Sequence, residues 1–142
     1  MFYNRINEEL GYLIKEVQQD LRKKMDNTLI DIELTTPQYA VLSQLNEYPG
    51  LSNAELARKS FVTPQTMNLI VQNLEERQLI IRSHSNKHGK IMNTAITEIG
   101  SNILKIANSL VFEVEEQIFG GLSKEETNDL RLILQKLRGK ST

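Results

Sequence analysis

The sequence predicts a mainly α-helical protein of the α+β class, in which long amphipathic helices flank a smaller lobe of short helices and one β-hairpin. Three observations predict it. Apolar residues recur at three- and four-residue steps near both ends of the chain, which is the helical period. Ser or Thr residues suited to helix N-caps stand at Thr35-Thr36, Ser52, Thr63 and Ser123. Between residues 79 and 97 the pattern changes to short segments rich in β-branched residues.

The flanking helices are predicted from their apolar stripes. The first stripe consists of Ile6, Leu10, Leu13, Ile14, Val17, Leu21 and Met25, with charged residues on the opposite face. A second long helix begins at Glu98 and is stopped by Gly120-Gly121. Ser123 and Glu126 form a Ser-x-x-Glu capping box that opens the last helix.

Three short helices are predicted between the long ones. Thr35-Thr36-Pro37 opens a helix, with a Thr N-cap followed by Pro at the predicted first helical position, and Tyr48-Pro49-Gly50 ends it. Ser52 and Glu55 form a capping box for a two-turn helix from Asn53 to about Lys59. Thr63-Pro64 opens a third helix that runs to about Gln78, with its inward positions at Met67, Ile70, Val71 and Leu74.

Two strands follow, over residues 79–84 and 91–97, and the polar stretch 85–90 between them contains a glycine. Such a pattern predicts a β-hairpin. Two short helices joined by a tight turn and followed at once by a hairpin make a winged helix-turn-helix. Its second helix is the element that enters the major groove of DNA, about 12 Å wide, while the first braces it.

Composition excludes several classes of protein. The 142 residues include no Cys, which excludes a disulfide framework, a thiolate zinc site, a Cys nucleophile and a thiol-based redox sensor. The longest apolar run is Tyr39 to Leu42, so no membrane span is expected, and the N-terminus lacks a signal-peptide pattern, so we expect a cytoplasmic protein. The net charge is −1, but residues 35–97 hold six Lys or Arg against four Asp or Glu, whereas both flanks are net negative. The predicted winged lobe is therefore the one of these three parts that carries a net positive charge.

The outer face of the third short helix holds the residues predicted to contact DNA bases. We name this helix the reading helix and this face the reading face. Asn and Gln amides pair bidentately with adenine, and Thr or Leu contacts a thymine methyl, so we expect an A·T-leaning site. The alternative is an ordinary solvated helix face. The predicted readers are Gln65, Thr66, Asn68, Leu69, Gln72 and Asn73.

Predicted backbone contacts flank these readers. Helix N-termini present free N–H groups to phosphates, which nominates Ser52, Asn53, Thr63 and Gln65. Pro64, which follows the Thr63 cap and has no N–H of its own, is also predicted to lie at the DNA. Arg77 is the first cation of the reading helix, and Arg82 either pairs a phosphate or braces the wing. The hairpin tip adds Lys87, His88 and Lys90, which are suited to the minor groove or to flanking phosphates, although a solvated turn has the same composition.

An enzyme is not expected. The sequence has no Gly-rich phosphate loop, nucleophile elbow or His-Glu-x-x-His motif. Both histidines, His84 and His88, lie in or beside the predicted turn, where a shared metal would have no nearby carboxylate. We therefore expect no cofactor and no metal.

Four segments, in their order along the chain, resemble the MarR family of bacterial transcriptional regulators. They are residues 51–57, 63–67, 74–80 with Arg82, and 96–100, and their order and spacing extend the resemblance over about residues 5–138. The resemblance implies a homodimer in which residues 1–34 and 98–142 form the dimerisation region. It also implies that residues 35–97 form the lobe that binds double-stranded DNA at a pseudopalindromic operator. The long apolar stripes agree, because they exceed what one small lobe can bury.

The resemblance also implies a regulator, expected to be a repressor, that a small aromatic or phenolic effector releases from DNA. Tyr12, Tyr39 and Phe112 are the candidate ligand-lining residues, and each is also suited to ordinary core packing.

Three positions depart from the family pattern. The wing reads Asn86-Lys87-His88-Gly89-Lys90 in place of an Asp-x-Arg-Arg type of sequence, and Leu69 stands where a basic residue is common. Gln78 replaces the usual glycine before the wing, so we expect the helix to end in another way. Since Lys does not reproduce the planar guanidinium of Arg, the departures predict weaker or narrower DNA binding. The alternative is a winged-helix protein-interaction module with weak or lost DNA binding.

Overall fold

The computed structural model describes residues 9–84 and 92–139 and confirms the predicted fold class, including the order of its helices and hairpin. The two strands pair antiparallel, with Ile80 opposite Ile96 and His84 opposite Met92. The elements are α1 (Leu10–Leu29), a 3₁₀ turn (Ile30–Ile32), α2 (Thr36–Glu47), α3 (Asn53–Ser60), α4 (Pro64–Glu76), β1 (Ile80–His84), β2 (Met92–Ile96), α5 (Glu98–Phe119) and α6 (Lys124–Arg138).

The predicted N-caps are confirmed at the start of α3, α4 and α6, and α2 also begins at a Thr N-cap, Thr35; each Ser or Thr side chain accepts from a backbone N–H of the first turn. The expectation for Pro37 is off by one position, because Thr36 is the first residue of α2 and Pro37 the second. Thr35 also forms a capping box with Gln38, whose Oε1 accepts from the Thr35 N–H at 3.0 Å.

Three helical segments end at a non-glycine residue with left-handed backbone. These residues are Glu33 (φ 57°), Phe61 (φ 58°) and Gln78 (φ 63°). At the end of α4, Gln78 N–H donates to Glu75 O and Leu79 N–H donates to Leu74 O, both at 2.9 Å. This is the bond pair of a Schellman motif. Gln78 thus takes the conformation of the glycine it replaces, so the expectation of a different ending is wrong, and α4 stops at Glu76.

The hydrophobic core fixes which face of α4 remains outside. Met67, Val71 and Leu74 are fully buried and Ile70 is half-buried against the core, as predicted. Leu42, Leu45 and Leu56 of the preceding helices, together with Leu79 and Ile80 of the wing, are buried in the same cluster. Since these positions all lie on one side of α4, the opposite side is left open to solvent.

The described chain forms two compact units, one over residues 25–111 and one that combines residues up to 24 with those from 112 onward. No residue of α6 is buried within a single chain, and Leu29 is the only buried residue of α1. The predicted division into dimerisation and DNA-binding parts at residues 34/35 and 97/98 stays a prediction. None of the described helices combines the length and apolar character needed to cross a membrane.

Candidate nucleic-acid interface

The outer face of α4 has the composition that the sequence predicts. Gln65, Thr66, Asn68, Leu69, Gln72 and Asn73 are all exposed. At 100° per residue, Gln65, Leu69 and Gln72 follow the middle of this face, and Asn68 and Asn73 lie on its opposite edges. Leu69 is 69% exposed, which leaves it open to a contact such as a thymine methyl.

Glu76 was not among the predicted site residues, although it lies on the same line as Gln65, Leu69 and Gln72. It is exposed at the last turn of α4. A carboxylate there repels phosphates, so the geometry favours DNA contact through the first two-thirds of the helix. Its i+4 spacing from Gln72 is the sequence signal that identifies it.

Asn68 is held on one edge of the face by α3. Asn53 Nδ2 donates to Asn68 Oδ1 at 2.7 Å. Asn53 is half-buried and its Oδ1 has no hydrogen-bond partner within the described residues. Asn53, predicted as a phosphate contact, therefore has its amide nitrogen engaged in positioning Asn68.

Asn73 is held on the other edge by α2. Gln38 Nε2 donates to Asn73 Oδ1 at 2.7 Å, and Arg77 Nη1 donates to Gln38 Oε1 at 3.4 Å. Arg77, the predicted cation of the reading helix, is half-buried beside Gln38. Gln38 was not among the predicted site residues, although its Thr-x-x-Gln spacing from Thr35 matches a capping box.

Arg82 joins the wing to α4. Its Nε and Nη2 both donate to Glu75 Oε1, at 3.1 and 2.7 Å. The Arg82 and Glu75 side chains are 21% and 38% exposed. Of the two roles that the sequence left open for Arg82, this is the bracing geometry.

Two of the predicted phosphate contacts at the helix starts, Ser52 and Thr63, are capping residues. Ser52 Oγ accepts from Glu55 N–H at 3.2 Å, and Thr63 Oγ1 accepts from Thr66 N–H at 3.1 Å. Ser52 N–H donates to Glu55 Oε1 at 3.0 Å and is thereby engaged within the protein. That backbone N–H, with the Ser52 hydroxyl next, holds the pKa of Glu55 below its usual value of 4.5. Glu55 thus keeps a negative charge at the first turn of α3.

The remaining predicted residues lie away from the outer face of α4 or outside the described residues. Lys87, His88 and Lys90 fall outside the described residues. Tyr39 lies in the winged lobe, packs against its core and donates from its hydroxyl to Asn108 Oδ1 at 2.8 Å. Tyr12 and Phe112 are exposed residues of the other unit.

The unit formed by the chain ends contains a shallow cleft of about 360 Å³. Glu16, Val17, Asp20, Gln117 and Ile118 line it, and none of the three candidate ligand-lining aromatics is among them. Within residues 9–84 and 92–139, no three His, Asp or Glu side chains converge as a metal ligand set.

Comparisons with known proteins by sequence profile, by sequence and by structure agree on one family. The sequence profile of the MarR family matches residues 34–92. The HTH-type transcriptional repressor Rv2887 of Mycobacterium tuberculosis is 33% identical over 128 residues, which cover 90% of this chain and 92% of the relative. The transcriptional regulator HosA of Escherichia coli is 28% identical over 105 residues, which cover 74% of this chain and 78% of HosA.

Solved structures of relatives agree in fold. The crystal structure of Rv2887 in complex with DNA has a TM-score of 0.76 at 30% identity, with coverage of 91% of this chain and 97% of that chain. Its complex with salicylic acid has a TM-score of 0.76 at 32% identity and covers 91% and 96%. A MarR family regulator from Rhodococcus sp. RHA1 has a TM-score of 0.88 at 23% identity over 95% and 96% of the two chains.

Proposed function

Since the chain belongs to the MarR family, we propose that it is a homodimeric transcriptional repressor that binds a pseudopalindromic DNA operator. The observation that carries the proposal is the outer face of α4. That face is exposed, rich in amides and opposite a fully buried apolar side formed by Met67, Val71 and Leu74. A helix held in this way presents hydrogen-bonding side chains to base edges without loss of core packing.

Duplex DNA is proposed to contact the first part of α4. Gln65 and Gln72 offer amides to base edges, and Leu69 offers an apolar contact to a thymine methyl. Asn68 offers its Nδ2 donors, because its Oδ1 accepts from Asn53. Arg77 and Arg82, two of the four Lys and Arg residues in the described part of residues 35–97, both bond to protein groups. We expect modest affinity per lobe, with two lobes required for stable binding.

The homodimer is supported by apolar side chains that one chain leaves open. In α6, Ile133, Leu134 and Leu137 share one face and are between 48% and 55% exposed. In α1, Leu10, Leu13, Ile14 and Val17 are between 41% and 77% exposed. Contiguous apolar stripes of this kind are typical of surfaces that another chain covers.

The dimer is tested by placing a charge on the α6 stripe. Ile133→Lys should convert the protein to monomers in sedimentation experiments and abolish operator binding, because burial of a lone charge is costly. The control is Gln135→Lys, which adds the same charge at an exposed position off the stripe. If both variants remain dimeric, the α6 stripe is not the interface.

DNA binding is tested by selection of fragments from a genomic library with purified protein, followed by titration of the selected site at several salt concentrations. We expect affinity to fall steeply with salt, because released counterions scale with the phosphates contacted. A flat salt dependence, or no selected site, would favour the protein-interaction module instead.

A small aromatic acid is proposed as the effector. The support is the relative Rv2887, whose solved structures include complexes with salicylic acid and p-aminosalicylic acid. Salicylate should release the protein from its selected DNA, and Tyr12→Ala, Tyr39→Phe or Phe112→Ala should raise the concentration needed. If salicylate leaves the DNA complex intact, this effector class is excluded.

A further inference from the structure

Gln38 joins three parts of the winged lobe although its side chain is buried. The residue is 8% exposed. Its Oε1 accepts from the Thr35 N–H at 3.0 Å and from Arg77 Nη1 at 3.4 Å. Its Nε2 donates to Asn73 Oδ1 at 2.7 Å. One side chain thus connects the start of α2, the end of α4 and the edge of the reading face.

These partners determine which way each amide faces. A backbone N–H and a guanidinium only donate, so the oxygen of Gln38 must face them and its nitrogen must face Asn73. Asn73 must then accept through Oδ1. Because Oδ1 is directed at the buried Gln38, the two Nδ2 donors are the part of the exposed Asn73 amide that remains for an external partner.

We propose that Gln38 is a positioning residue for DNA recognition, which fixes the Asn73 amide so that its donors face the DNA. The inference rests on the proposed DNA-binding function. The partner of Asn73 is then a hydrogen-bond acceptor: a phosphate oxygen, or an acceptor atom of guanine or thymine in the major groove. The adenine-specific bidentate pair that the sequence suggests for Asn73 also needs the amide oxygen to face the base, and here that oxygen is directed at the buried Gln38.

Gln38→Glu isolates this role. A carboxylate of the same shape still accepts from Thr35 N–H and Arg77, but it cannot donate to Asn73. The Asn73 amide is then expected to turn over, donate to the introduced carboxylate and direct Oδ1 outward. We expect affinity for the selected operator to fall about fivefold or more, with the thermal transition retained because the capping bond persists.

Two outcomes distinguish whether the DNA group that accepts from Asn73 belongs to a base or to a phosphate. If Asn73 contacts a base, Gln38→Glu changes the selected base at one position of each half-site toward a base with an amino donor. If Asn73 contacts a phosphate, all sequences weaken alike and the salt slope drops by less than one unit, because a neutral amide releases no counterion. Either result supports the positioning role.

The controls distinguish the role of the Gln38 side chain from the effect of the added negative charge and from loss of folding. Gln44→Glu adds the same charge to a half-exposed site on the same helix and should leave the base profile unchanged. Asn73→Asp keeps the bond to Gln38, removes the outward donors and should weaken DNA binding even if Gln38→Glu fails to fold. In an Asn73→Ala background, Gln38→Glu should have no further effect on affinity or base profile.

Two results would overturn the inference. One is an equal effect of Gln38→Glu with and without Asn73. The other is an effect that Gln44→Glu reproduces in full. If the unaltered protein selects no DNA, the proposed function fails and the inference fails with it. If it selects a site that both Gln38→Glu and Asn73→Asp bind as well, only the inference fails.

Discussion

Replacement of Gln78 by glycine should make the protein more stable. Gln78 has φ 63° and occupies the position after α4 where a Schellman motif favours glycine. Its side chain is exposed, and the bonds that matter belong to its backbone. The N–H donates to Glu75 O at 2.9 Å, and the carbonyl accepts from Thr97 Oγ1 at 2.7 Å. Both bonds survive the substitution.

The magnitude follows from two opposing contributions. Left-handed backbone costs a non-glycine residue about 1–2 kcal/mol. Against this, glycine lowers the free energy of unfolding by about 0.4–1 kcal/mol, because it loses more conformational freedom than glutamine on folding. The net gain in the free energy of unfolding is about 0.5–1 kcal/mol, and for a chain of this size it raises the melting temperature by about 2–4 °C.

Thermal unfolding followed by circular dichroism at one fixed protein concentration measures the change. Gln72→Gly is the matched control, since Gln72 is also exposed but lies inside α4, where glycine costs about 0.5–1 kcal/mol. The two Gln→Gly variants should therefore move in opposite directions. If Gln78→Gly has the lower melting temperature, or if both variants shift alike, the assignment of a strained cap is refuted.

Three further outcomes are expected. Gly100→Ala should unfold much of the protein at 37 °C, measured by circular dichroism, because an added Cβ would lie 2.1 Å from Leu79 O. A melting temperature like that of the unaltered protein would contradict the close approach of Gly100 to Leu79. Arg82→Ala should lower the free energy of unfolding by about 0.5–1 kcal/mol, and a double-mutant cycle with Glu75→Gln in urea should assign most of it to their pairing rather than to either residue alone. The pKa of Glu55 is lowered in the folded state, so the stabilisation by its carboxylate is present above its ordinary pKa of 4.5 and is lost as pH falls through the folded pKa. Glu55→Gln should therefore reduce the loss of unfolding free energy at acid pH, measured by urea titrations. An unchanged pH profile in this variant would contradict the role of Glu55.

The elements were predictable from sequence where a short local rule determines them. Ser52 with Glu55 and Ser123 with Glu126 form capping boxes whose partners are three residues apart, and the apolar period of α4 identifies its buried side. The left-handed end of α4 was not predictable from residue type, because the signal for that conformation is glycine and the chain has Gln78. There the bonds of the backbone and the burial of Leu79 override residue preference.

The members of the candidate reading face were predictable, but their connections were not. Helical spacing places Asn68 and Asn73 outside, yet their partners lie 15 and 35 residues away in sequence. Local patterns carry no information on such pairs, so they indicate a phosphate contact for Asn53, and the Thr-x-x-Gln spacing identifies Gln38 only as a capping partner of Thr35. Tertiary packing of α2 and α3 on α4 creates both amide pairs.

The most direct test of the central claim is base selection with the unaltered protein and with Gln65→Ala and Asn68→Ala. We predict that the unaltered protein selects two half-sites about 10–10.5 bp apart, centre to centre, or a multiple of that distance. Each alanine variant should lose about 1–3 kcal/mol of binding free energy and relax the preference at one position of each half-site. An unchanged affinity and base profile in both variants would contradict the claim that α4 reads DNA.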